Sequence, residues 1–129
     1  SGSEEFFENL ERWDKEEFVL AASTSGHDTT QEGETTTLHG LVAGHAYAVA
    51  TVKKVGRYRM LRLRNPWGKF EWDGDWSDNS ELWKKHRDVC NACEGGGTAA
   101  DDGFFWMEFT DFCTHFHSVD VCHRSRGIR

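Results

Sequence analysis

The sequence predicts an α+β domain, mainly antiparallel β-structure with flanking helices, and three stretches carry that prediction. Between Glu4 and Leu20, Phe6, Phe7, Leu10, Trp13 and Phe18 recur among charges at mostly three- and four-residue steps, the period of a helix with one face on a core. From Leu41 the residues alternate, and after a polar turn at 53–56 the chain returns as a second run from Tyr58 to Asn65, the pattern of a hairpin. Phe104 to Phe109 is a third, aromatic strand.

Taken in order, the N-terminal helix is expected to break near Asp14 and to lead into a short strand at 19–22. Residues 21–38 are small, polar and without period, so they read as a long surface loop, with His27 and His39 solvated. In the alternating run, Ala43, His45, Tyr47, Val49 and Thr51 share one face, and Val42, Ala46, Ala48, Ala50 and Val52 the other. Apolar residues on both faces imply a strand buried on both sides. In the return run Leu61 and Leu63 lie on the face of Asn65, opposite Arg62 and Arg64. Arg57 and Arg59 have the other parity, which points to a bulge or an edge near Met60. The run ends at Asn65, because Pro66 cannot donate to a ladder and restricts its predecessor.

Beyond it, residues 68–76 read as a loop and strand, and 79–89 as a short helix with Leu82 and Trp83 inward and Asp78 or Ser80 as N-cap. Residues 94–102 form a loop. A helical turn begun by Thr110 or Asp111 and a closing strand at 119–122 complete the chain, ahead of a basic tail, 123–129, that frays. Ser1-Gly2-Ser3 reads as a cloning scar, which leaves 4–122 as the folded unit.

A chain of 129 residues suits one domain or one sizeable subdomain, and six Trp with nine Phe give it an aromatic-rich core. The net charge of −7 is spread along the chain, so the surface repels phosphate backbones; nucleic acid is not an expected partner, whereas calcium is compatible. The arginines at 57, 59, 62 and 64 read as a charged strand face or edge that discourages aggregation. No stretch approaches the roughly 20 apolar residues that cross a bilayer, and no signal peptide is seen, so the protein is expected to be soluble. Cys90 and Cys93 form a CxxC, but Cys113 and Cys122 are no second close pair, so the zinc-ribbon pattern fails. A zinc module built on His86, Cys90, Cys93 and Cys113 is the weakest of the functional readings, behind free thiols in a reducing compartment.

The chemistry gathers at two motifs. His45 stands in GHAYAV and Asn65 in RLRNPWG. An amide oxygen can fix the tautomer and orientation of an imidazole, leaving its other nitrogen to work on a thiol. A lone histidine on a strand face is more often merely packed. Together with EWDGDWSDNS and DGFFWMEFTDF, however, these motifs in this order resemble the second half of the calpain protease core, over roughly Phe7 to Val121.

That resemblance implies the C-terminal subdomain of a papain-like cysteine endopeptidase, intracellular and cytoplasmic, that cuts exposed segments of other proteins. It makes His45 the general base, Asn65 its orienting residue, and Trp67 the cover over their hydrogen bond. It places the nucleophilic cysteine in an upstream subdomain, the expected partner, while all four cysteines here follow His45; the chain alone is expected to be inactive. If the upstream half lacked its cysteine, the fold would serve as a pseudoenzyme that binds or scaffolds other proteins. The resemblance further implies calcium ligands at Glu71, Asp78 and Asp102, helped by carbonyls near Ala100, although Phe104 stands where the family commonly has another acid. The plainer reading of these carboxylates is solvated loop residues, with Asp78 capping a helix.

Overall fold

In a computed structural model that describes residues 2–26, 37–65, 71–98 and 102–122, the aromatic stripe at the N-terminus forms helix α1, Gly2–Lys15. Glu4 and Glu5 in its first turn and Arg12 and Lys15 in its last complement the helix dipole. The helix ends rather than breaks after Asp14. Phe18 N–H bonds to Trp13 O and Glu17 N–H to Asp14 O, both at 3.0 Å, with Glu17 at φ 63°, the paired bonds of a Schellman cap. Asp14 itself accepts from Val52 N–H at 3.2 Å and so ties the helix end to the sheet.

The strands are β1 (Val19–Thr24), β2 (Thr37–Leu38), β3 (Leu41–Val42), β4 (Ala46–Val55), β5 (Tyr58–Arg64), β6 (Phe104–Glu108) and β7 (Phe116–Cys122). Among the described residues, five of them form an antiparallel sheet in the order β6-β5-β4-β1-β7, and β2 pairs with β3 in a small hairpin. The helices are α2 (Leu82–Lys85), α3 (Arg87–Ala92) and α4 (Phe109–His115).

Several expectations change here. The alternating run is not one strand: Leu41–Val42 belongs to the small hairpin, and the chain turns at residues 43–44 before β4 begins. Nor is β4 buried on both sides. Tyr47 and Val49 face the core while Ala46, Ala48 and Ala50 are exposed. The irregularity lies in β4, not near Met60: pairing jumps from Val49↔Leu63 to Thr51↔Arg62, and the extra residue switches parity so that Val52 is the next inward side chain. Residues 71–76 hold no strand, and the expected 79–89 helix is two short helices, α2 and α3, that meet at His86. Helix α4 is capped by Glu108, whose carboxylate accepts from Thr110 N–H at 2.7 Å, instead of by Thr110 or Asp111. The closing strand starts three residues early, at Phe116.

The sheet carries a core on each face because β5 and β6 send large apolar residues both ways. Leu61, Leu63, Phe105 and Met107 join Phe7, Leu10, Tyr47, Phe109 and Phe112 under α1 and α4. Met60 and Trp106 join Trp76, Trp83, Val89 and Cys93 under α2 and α3 on the other side. Burying each large side chain of this kind stabilises the fold by about 2 kcal/mol before entropy is counted. Trp76 holds φ 71°, costly for a bulky residue, and is fixed there between Trp83 at 4.9 Å and Tyr58 at 5.3 Å. Arg59 takes an interior-facing place by covering the Phe109 ring at 4.9 Å while pairing with Glu4 at 2.6 Å.

Candidate active site

His45 stands immediately before β4, half-buried, at the end of the sheet where β5 also stops. Its backbone is fixed against the end of β1. Thr24 N–H donates to His45 O at 3.0 Å, His45 N–H donates to Thr24 Oγ1 at 2.9 Å, and Gly44 N–H donates to Ser25 O at 3.1 Å. The imidazole meets the Tyr47 ring edge-on, 5.4 Å between centroids.

Asn65 follows the last residue of β5 and is fully buried, its N–H donating to Gly103 O at 3.0 Å. Register relates the two. The last ladder pair, Ala48↔Arg64, sets Asn65 one step beyond it, opposite Tyr47. Asn65 therefore shares the inward face with Tyr47 and sits diagonal to His45, a relation that spans about 7–8 Å between backbones and is within reach of long side chains. Trp67 and Pro66 lie outside the described residues, as do His27, Ala100 and the tail 123–129.

The acidic triplet also converges. Glu71 Oε2 accepts from Gly103 N–H at 3.0 Å, and its side chain is hydrogen-bonded to Asp78. Burial, then the Asp78 hydrogen bond and charge, and then the charge of Asp102, push the Glu71 carboxyl up to about 7. Asp78 is thus engaged with Glu71, and it is Ser80 whose hydroxyl accepts from Leu82 N–H, at 3.2 Å, near the start of α2. Asp78 and Asp102 line a small cavity of about 40 Å³ together with Arg62 and Phe104. The Arg62 guanidinium lies 4.2 Å over the Phe104 ring, so a cation already borders this space where the sequence lacks a fourth acid. Crowded carboxylates sharing a proton are oxygen donors suited to a hard cation, yet the described residues contain no group of three posed to hold one.

The sequence missed two features. His39 and Gly40 form a two-residue turn at φ 53° and 86°, joining β2 to β3, and this turn docks on the acidic loop through Asp73 N–H to His39 O at 3.0 Å. Thr24 gave no signal, because nothing in a polar stretch marks one hydroxyl as bonded to residues about twenty positions away. As for the thiols, Cys90 and Cys93 pack on the α2–α3 side of the sheet and α4, with Cys113, packs on the opposite side. The four-ligand set with His86 is therefore divided between two faces.

Compared with known families, residues 1–123 match the calpain family cysteine protease. The chain belongs to that family. It is 42% identical over 124 residues to calpain-9 of Mus musculus and 38% identical over 129 residues to calpain-9 of Homo sapiens, in each case over 93% of this chain. With calpain-12 of Mus musculus it shares 41% identity over 122 residues, 88% of the chain. The chain spans 18% of the length of the calpain-9 relatives and 15% of calpain-12. The antiparallel sheet with flanking helices agrees with the α+β subdomain expected of this family. No helix among the described residues is long and apolar enough to cross a membrane.

Proposed function

We propose that this chain is the half of a calpain-like peptidase core that supplies the general base and its orienting amide, and that an upstream subdomain supplies the nucleophilic cysteine. The observation that carries the reading is register: within a calpain-family chain, His45 and Asn65 stand diagonally on one face where two neighbouring strands end. In that arrangement Asn65 holds one imidazole nitrogen, and the other takes the proton from a thiol and later returns it to the departing amine. Trp67 is the residue proposed to keep solvent from the His–Asn bond, since a hydrogen bond in a low-dielectric setting is harder to lose to water.

The thiols of this chain are poorly placed for the nucleophile's part. Cys122 pairs with Val19, five residues along β1 from Thr24 and so about 16 Å from the His45 end. Cys113 lies near Arg59 and Glu108, at the far end of β5 from Asn65. Cys93 is buried on the other face of the sheet, with its thiol pushed up to about 11 by burial. Substrates are proposed to be extended segments of intracellular proteins. Glu71, Asp78 and Asp102 are the residues that would hold a calcium ion, which would supply charge neutralisation and fix the loops that bear them.

The test is cleavage of a fluorogenic peptide by this chain joined to its upstream half. His45→Ala should remove turnover, whereas Asn65→Ala should leave a reduced rate, because the histidine still reaches the thiol in some orientations. Parent-like cleavage by His45→Ala would refute the assignment. Silence from a folded pair whose upstream half lacks a cysteine would favour a pseudoenzyme that binds other proteins.

A further inference from the structure

We propose that Thr24 and Tyr47 are positioning residues that set the location of the His45 imidazole by clamping the turn that presents it; the inference rests on the reading of His45 as a general base. The turn spans Val42 to His45, between the end of β3 and the start of β4. Gly44 N–H and His45 O are met by the backbone of Ser25 and Thr24, whereas both backbone groups of Val42 and the N–H of His45 need other partners. Two side chains provide them. Thr24 Oγ1 donates its one proton to Val42 O at 2.6 Å and accepts from His45 N–H at 2.9 Å. The Tyr47 hydroxyl accepts from Val42 N–H at 2.8 Å. Val42 is thereby held through both of its backbone groups, and the turn is fixed at its first and last residues.

All three members are buried: Val42 is 1% exposed, Thr24 4% and Tyr47 0%. A lost partner here would not be replaced by solvent, which makes each bond expensive to break. Tyr47 also bears on the imidazole directly through its ring, which stands at 88° to that of His45 and is itself boxed by Phe105 at 5.9 Å and Phe116 at 5.6 Å. The ring wall therefore fixes where the imidazole lies, and the hydroxyls fix the backbone from which it projects. A general base tolerates little displacement, since misplacing a reacting group by about 1 Å costs on the order of 10²-fold in rate. The position of Thr24 follows from the alternation of β1, which buries Leu20, Ala22 and Thr24 in turn and leaves the Thr24 hydroxyl at the strand end beside the turn.

The experiment measures kcat and KM for a fluorogenic peptide in the two-subdomain enzyme carrying Thr24→Val, Thr24→Ser, Tyr47→Phe or His45→Ala. Valine keeps the shape of threonine without its hydroxyl, so kcat should fall about ten- to a hundredfold with KM within about threefold of the parent. Thr24→Ser should recover kcat to within about threefold, and Tyr47→Phe should act in the direction of Thr24→Val. Should Thr24→Val fail to fold, Tyr47→Phe carries the same test. A second readout uses this chain alone, labelled with nitrogen-15 at histidine. Thr24→Val should move the His45 tautomer balance toward that of free histidine, and Thr24→Ser should not.

If Thr24→Val and Tyr47→Phe are folded, keep kcat within twofold and leave the tautomer balance unchanged while His45→Ala is inactive, the clamp is refuted and the general base stands. If His45→Ala turns over like the parent, the reading of the base falls and the clamp falls with it as a catalytic device.

Discussion

Gly40→Ala tests how tightly the β2–β3 turn is seated on the loop that bears Glu71. A Cβ added at Gly40 would lie 1.9 Å from the Glu71 carbonyl oxygen, against about 3.4 Å for ordinary contact, so the two segments must part by about 1.5 Å. Gly40 also holds φ 86°, which costs an alanine about 1–2 kcal/mol. Separation would break the Asp73 N–H to His39 O bond, worth about 1 kcal/mol. The sum is about 2–3 kcal/mol, or a melting temperature lower by about 10 °C at this chain length. Gly56→Ala is the control: Gly56 has φ 59° in the β4–β5 turn but no atom within 4 Å of its added Cβ, so it should lose only about 1 kcal/mol. Urea unfolding followed by tryptophan fluorescence gives both values. Equal losses within about 0.5 kcal/mol would show that the turn does not bear on the acidic loop and that the close approach at Gly40 carries no cost of its own.

Two further outcomes follow from the titrating groups. The Glu71 carboxyl, raised from its usual 4.5 to about 7, binds more protons folded than unfolded, so stability should fall as pH rises through that window. Discounted for screening by nearby solvent, the loss is about 1 kcal/mol. Glu71→Gln should flatten the profile of urea midpoints between pH 5 and pH 8, and millimolar calcium should flatten it in the parent; an unsloped parent profile would contradict the crowding of Glu71 by Asp78. Calorimetry should show calcium heat that disappears in Asp78→Ala, and no heat in the parent at millimolar calcium would remove the ion from the account. Among the thiols, exposed Cys113 and Cys122 should react with a disulfide reagent at pH 8 well before Cys93, which is 2% exposed and raised to about 11. Prompt reaction of Cys93 in native protein would mean that α3 does not close over it.

Much of the fold is legible in the order of residues because its signals are local. The stripe of α1, the return of β5 after β4 and the aromatic run of β6 each need only periods of 3.6 or 2 to be seen. The misreadings arise where a distant partner decides. Ala46, Ala48 and Ala50 look like core residues in sequence, yet the face they occupy is exposed among the described residues, while the bulge in β4 turns Val52 inward. Arg59, charged and expected on a strand surface, faces the Phe109 ring because Glu4 and Glu108 neutralise it there.

At the candidate site the division is sharper. The sequence by itself determined which residue types are present and where strands must end: His45 behind a glycine, Asn65 ahead of a proline, three acids on loops. It also supplied enough ordered motifs to indicate the family. Only the tertiary structure decided that Asn65 falls diagonal to His45, that Glu71 and Asp78 share a hydrogen bond, and that Thr24 closes on Val42 and His45. The physical reason is that hydrogen-bond partners at strand ends and turns are set by register between strands far apart in the chain, and one residue of slip would exchange every inward side chain for an outward one.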